Sequence, residues 1–113
     1  MQKKFDILFL EEVNQFLESL EYRTKNKILF NITKSQMSND PELLKKLDEN
    51  IWEFRTYYAG IHYRIFAFWD KTDTEKTLVA ATHGILKKSQ KTPKDAIEKA
   101  RGIMKRYFEL KHS

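Results

Sequence analysis

The sequence predicts an α+β domain of order β-α-α-β-β-β-α, with a small, mostly antiparallel sheet packed by helices. Three observations carry this. Two aromatic and β-branched runs, IWEFRTYY and IHYRIFAFW, flank the pair Ala59-Gly60, which reads as a hairpin. Apolar residues recur at helical spacing in the first third of the chain and again at its end. No repeat, low-complexity tract or linker interrupts 113 residues, a length that suits one domain over 1–113.

Taking the elements in order, Lys4 to Phe9 alternates weakly and is predicted as a first strand. Leu10, Val13, Phe16, Leu17 and Leu20 then follow helical spacing. Thr24 is expected to cap a second helix whose stripe is Ile28, Leu29 and Ile32, ending near Met37. Asn39-Asp40-Pro41 offers a turn, with Asp40 as N-cap and Pro41 as first residue of a short helical PELLKKL segment. After the hairpin, Asp70 to Lys76 forms a polar turn and TLVAATHGI a further strand. Thr92-Pro93-Lys94-Asp95 opens the last helix with a Thr cap, Pro at the first helical position and a carboxylate for a capping box. Ala96, Ala100, Ile103 and Tyr107 line one face of that helix, with Ile97, Met104 and Phe108 beside them.

Composition excludes several classes of function. Without cysteine there is no disulfide framework and no thiolate nucleophile. The N-terminus MQKKFDILFLEE does not read as a signal peptide, and no run approaches the ~18 apolar residues of a membrane span, so a cytoplasmic protein with no membrane partner is expected. There is no HExxH, and His62, His83 and His112 lack metal-ligand spacing; neither a metal nor another cofactor is expected. A Ser/His/Asp triad has no supporting local motif.

Charge is unevenly distributed. From Gly84 onward there are nine Lys/Arg against three Asp/Glu, whereas the preceding residues hold twelve against thirteen. A basic end suits a polyanion, because phosphate neutralisation releases counterions; it equally suits a solvated helix face.

The hairpin register has a consequence. If Ala59-Gly60 is a two-residue loop, Arg55 faces Arg64. Like charges directly opposite repel by roughly 0.2–1 kcal/mol. An anionic ligand would turn that repulsion into a binding site. A longer loop would shift the register, and a carboxylate such as Glu53 could pair with one arginine. The segment THGILKKSQKTP adds Lys87, Lys88 and Lys91 just before a helix N-terminus, where anions are favoured.

Cleavage of RNA needs neither metal nor triad. The ribose 2′-OH is an internal nucleophile, so the protein must orient it, remove its proton, stabilise the phosphorus transition state and protonate the leaving oxygen. Arg55 and Arg64 suit charge stabilisation. Lys87, beside other cations, can exchange protons nearer neutrality, and His83 at the same strand end is an alternative acid or base. Trp52, Phe54, Tyr63, Phe66, Phe68 and Trp69 read as core, although Tyr57, Tyr58 and Tyr63 near the hairpin tip could also stack on bases.

The strings IWEFR, YRIFAF and THGILKKSQKTPKDAIEKA resemble the HigB-like, phage-derived branch of the RelE/ParE toxin superfamily. Its pattern is LWELR, GxxYRIFY, LLHGFxKKTQKTP and a helix of the EIExA type. The likeness is dense over residues 47 to 108, with Phe54, Ile85 and Ser89 as mild departures. It implies a RelE-like fold and a toxin of a type II toxin–antitoxin system. It further implies ribosome-dependent endonucleolytic cleavage of mRNA, a metal-independent mRNA interferase, held in check by a helix-turn-helix antitoxin protein. The likeness associates Arg55, Arg64, Lys87, Lys88 and Lys91 with activity; with the residue reading above, Arg55, Arg64, Lys87 and His83 are the catalytic candidates and Lys88, Lys91 and Tyr63 the RNA-binding ones, while the general base stays open because superfamily members differ in their catalytic sets. The ParE-like branch, which poisons DNA gyrase by contact, and an inactive antitoxin-binding relic are the alternatives.

Overall fold

A computed structural model describes residues 3–74, 76–86 and 92–112. Its elements are β1 (Asp6–Phe9), α1 (Glu11–Glu18), α2 (Tyr22–Met37), β2 (Leu44–Lys46), β3 (Ile51–Tyr58), β4 (Ile61–Asp70), β5 (Thr77–Leu86) and α3 (Lys94–Lys111). The strands form one sheet in the order β1-β5-β4-β3-β2. Three pairings are antiparallel; β1 alone runs parallel to its neighbour, β5.

Alternation along the strands divides the apolar residues between two faces. One face carries Phe54, Tyr63, Ile65, Ala67, Leu78 and Ala80, which pack with Val13, Phe16 and Leu17 of α1 and Ile28 and Ile32 of α2. The other carries Ile51, Phe66, Phe68, Val79 and Ala81 beneath Ala100 of α3. The predicted α3 stripe of Ala96, Ile97, Ile103, Met104, Tyr107 and Phe108 lies against this second cluster. A β-bulge lets β5 serve both: Thr82 pairs with Phe66 and Ala80 with Ala67, so Ala81 is the extra residue.

The hairpin has the register expected of a two-residue loop, from Tyr58↔Ile61 through Arg55↔Arg64. Ala59 (φ 51°) and Gly60 (φ 79°) both take the left-handed conformation that a type I′ turn requires.

Three local expectations are corrected. The segment after Asp40 makes a single turn, with Leu44 N–H donating to Asp40 O (3.1 Å), and then becomes β2. A seven-residue helix must meet its nucleation cost within two turns. As a strand the segment gains pairing to β3, including Arg55 N–H to Leu43 O at 2.8 Å, and packs Leu44 on the core. Its exposed Lys45 and Lys46 blunt the sheet edge. Thr24 is not a cap; α2 starts two residues earlier and Thr24 is buried within it. Thr92 does not cap α3, because its hydroxyl donates to Glu53 instead and Pro93 occupies the cap position.

The far end of α3 is pinned to β4. Asp70, buried at the strand's end, accepts hydrogen bonds from Tyr107 Oη (2.6 Å), Lys111 Nζ (2.7 Å), Thr72 Oγ1 (2.6 Å) and Thr72 N–H (2.9 Å). Burial opposes its charge, but these donors outweigh burial and hold the carboxyl well below the usual carboxylate range. No helix among the described residues is long and apolar enough to cross a membrane.

Candidate functional site

Helix α3 covers only part of its face of the sheet. Beyond the rung Glu53↔Phe66 the same face continues toward the hairpin tip as Arg55↔Arg64 and then Tyr57↔His62. On β5, Gly84 lies opposite Arg64 and Leu86 opposite His62. An open cavity of about 360 Å³ sits here, lined by Glu42, Arg55, Tyr57, His62 and Arg64. Glycine keeps the floor low: a Cβ at Gly84 would come within 3.3 Å of the Phe66 ring.

The two arginines share one carboxylate. Glu53 Oε1 lies 3.2 Å from Arg55 Nε and 3.5 Å from Arg64 Nε, and Glu53 Oε2 accepts the Thr92 hydroxyl. Arg64 is 1% exposed and so is Glu53. A guanidinium buried that deeply needs a counter-charge on the spot. Burial lowers the Arg64 pKa, with Glu53 opposing that shift and Arg55 adding to it. Among the described residues one buried carboxylate stands between the two guanidiniums, while Glu42 stands exposed at the rim. Such a floor is suited to an oxyanion.

The sequence candidates separate by face. Arg55 and Arg64 converge on the cavity. His83 pairs with Ile65, a residue of the α1/α2 face, and its ring stacks on Phe16 at a centroid distance of 4.0 Å. Its Nδ1 lies 3.2 Å from Glu12 Oε2, and Glu12 also contacts Lys99 Nζ (3.0 Å) and accepts the Thr82 hydroxyl. Burial works against charge on Glu12, but Thr82, Lys99 and His83 together keep its pKa below the ordinary value. Tyr63 is also on the α1/α2 face, 8% exposed within the core, so its ring has little surface to offer a base. Tyr58 packs on that core as well; Tyr57, 63% exposed, is the tyrosine in the cavity.

Lys87, Lys88 and Lys91 lie outside the described residues. Of the described residues on either side, Leu86 pairs with His62 and Thr92 donates its hydroxyl to Glu53.

Sequence reasoning did not assign His62 a role in the site and weighed Glu53 only as a partner for one arginine. Strand alternation would have found both, since His62 is two residues from Arg64 and Glu53 two from Arg55. Among the described residues no group of three His, Asp or Glu side chains is placed to hold a metal ion.

Residues 15–105 match the family model described as phage derived protein Gp49-like (DUF891). The matched span runs from within α1 through most of α3 and includes every residue lining the cavity. No curated protein and no solved structure matches the chain.

Proposed function

The chain belongs to the phage-derived Gp49-like family, toxin–antitoxin toxins related to RelE and HigB, and from that membership and the arginine cavity we propose that it is a ribosome-dependent mRNA endonuclease. The family also implies a cognate antitoxin as partner. The single observation that carries the enzymatic reading is the Arg55–Arg64 rung, on the sheet surface that α3 leaves uncovered and served by one shared carboxylate.

In this reading the scissile phosphate sits against Arg55 and Arg64. Negative charge grows on the phosphate oxygens as the 2′-oxygen attacks, and fixed guanidiniums stabilise that charge with little reorganisation. The O2′–P bond forms and the P–O5′ bond breaks, giving a 2′,3′-cyclic phosphate and a 5′-hydroxyl. The family likeness associates Lys87, Lys88 and Lys91 with activity; in this scheme Lys87 serves proton transfer and Lys88 and Lys91 hold neighbouring phosphates. The exposed Tyr57 ring offers a surface on which a base can stack. His83 and Tyr63, on the opposite face, have no direct role in this scheme.

Induction of the wild type should arrest growth and cut transcripts within reading frames. Arg55→Gln should remain folded and lose cleavage by about 10²-fold or more, as for removal of an oxyanion donor. Rising DNA-damage signalling with intact transcripts would transfer the protein to the gyrase-poisoning class. Absence of growth inhibition by the wild type would identify it as an antitoxin-binding relic.

A further inference from the structure

Of the groups lining the cavity, Arg55 and Arg64 carry no acceptor for the proton that the attacking hydroxyl must lose. His62 has one. It stands on the same face as Arg64, two residues along β4, which is about 7 Å of strand. Both side chains line the same cavity, so a phosphate held by the guanidiniums leaves its ribose within reach of the imidazole. Tyr57 packs its ring against that of His62 at 4.5 Å and 33° and limits the orientations the imidazole can take. No described residue hydrogen-bonds to either ring nitrogen.

We propose that His62 is the general base of the cleavage, accepting the 2′-OH proton as O2′ attacks the phosphorus. This rests on the endonuclease reading above and adds to it a catalytic residue. The balance is complete: the hydroxyl proton passes to the imidazole, O2′–P forms, P–O5′ breaks, and the 5′ oxygen leaves with a proton brought by Lys87 or water. The imidazolium then returns its proton to solvent.

The surroundings favour the neutral, accepting form. Partial burial, then Arg64, then Arg55 lower the His62 pKa from its ordinary 6.5. Among the described residues, the charged and titratable groups that face it are Arg64 on β4, Arg55 and Tyr57 on β3 and Glu42 on the turn before β2; its partner on β5 is Leu86, which does not titrate. A base of this kind works above its pKa, so cleavage should fall as the solution becomes acidic and be level at neutral pH.

The test is single-turnover cleavage of a defined mRNA on bacterial ribosomes across mildly acidic to neutral pH. His62→Gln should cut about 10²–10⁴-fold more slowly at saturating enzyme. Its apparent affinity and thermal unfolding should be unchanged, and the acid limb of its rate profile should be gone. Added imidazole should restore part of the rate of His62→Ala. A near-normal rate with the acid limb retained would overturn the inference, as would a loss confined to affinity, which would make the Tyr57–His62 pair a stacking shelf. If Arg55→Gln fails to cut while His62→Gln cuts normally, the inference alone is lost. If the wild type does not cut ribosome-bound mRNA, the endonuclease reading fails and the inference falls with it.

Discussion

Two halves of one sheet face, built from the same three strands, are put to opposite uses. Under α3, Ile51, Phe66, Phe68, Val79 and Ala81 are all at most 1% exposed and pack into one apolar cluster. One rung nearer the hairpin tip, Arg64 is buried as deeply as those residues, yet it is charged, faces a second arginine and depends on Glu53. Burying a Phe or Ile contributes about 1.5–3 kcal/mol, whereas a buried ion pair at best offsets its own desolvation. Stability alone would therefore favour extending the apolar half to the tip. The lesson is that the tip half gives up apolar burial for charge, a trade that the proposed phosphate site would explain.

The largest expected effect follows from the shared carboxylate. Glu53→Ala should lower the unfolding free energy by about 3–5 kcal/mol, because buried Arg64 and partly buried Arg55 both lose the carboxylate they share. Urea unfolding measures it. Replacing both partners, Glu53→Met with Arg64→Met, should recover most of that loss while abolishing cleavage. A near-neutral Glu53→Ala would erase the contrast between the halves, since it would mean that water already solvates both arginines.

A smaller effect is expected where the halves meet. Gly84 is opposite Arg64, and its absent side chain leaves room both for the floor of the cavity and for the Phe66 ring. Phe66 is fully buried and cannot step aside freely. Gly84→Ala should destabilise by about 1–3 kcal/mol through overpacking. An unchanged thermal midpoint would show that the apolar half is looser at its border than its burial implies.

How much of this was legible in the sequence depends on the range of the signal. The hairpin and its Arg55↔Arg64 rung were readable because turn chemistry and register are local: Ala59-Gly60 closes a two-residue loop and every pair follows. The α3 stripe was readable because its period is long and unbroken. The segment after Asp40 was misread because its residues also suit a helix, and only the unpaired edge of β3, remote in sequence, decides for a strand. Thr92 looked like a cap for the same reason; Glu53, 39 residues away, takes its hydroxyl. Parallel pairing of β1 with β5 joins Asp6–Phe9 to Thr77–Ala80, segments remote in sequence, and has no local mark. The arginine pair of the site was thus visible from sequence, while the face that separates His62 from His83 needed the register on both sides of β4.

The smallest effect compares the two ends of the α3 face. At one end Glu53 is shared between two cations. At the other, Asp70 collects four hydrogen bonds from three residues and ties Tyr107 and Lys111 of α3 to β4. If Asp70 is a structural anchor, its contribution should follow its own protonation. Its folded pKa is depressed, so the stabilisation is fully present above the unfolded value of 3.8 and is lost as pH falls toward the folded one. Asp70→Asn should therefore cost about 1–2 kcal/mol near neutral pH, within the range for a hydrogen bond to a charged group. The gap from wild type should narrow steadily below about pH 4. Urea unfolding at neutral and acidic pH reads both. Cleavage by Asp70→Asn should match the wild type wherever it is folded, because the anchor lies at the end of the face away from the cavity. A gap that stays constant into acid would mean that Asp70 serves as a neutral acceptor, and the two ends would then differ in charge as well as in use.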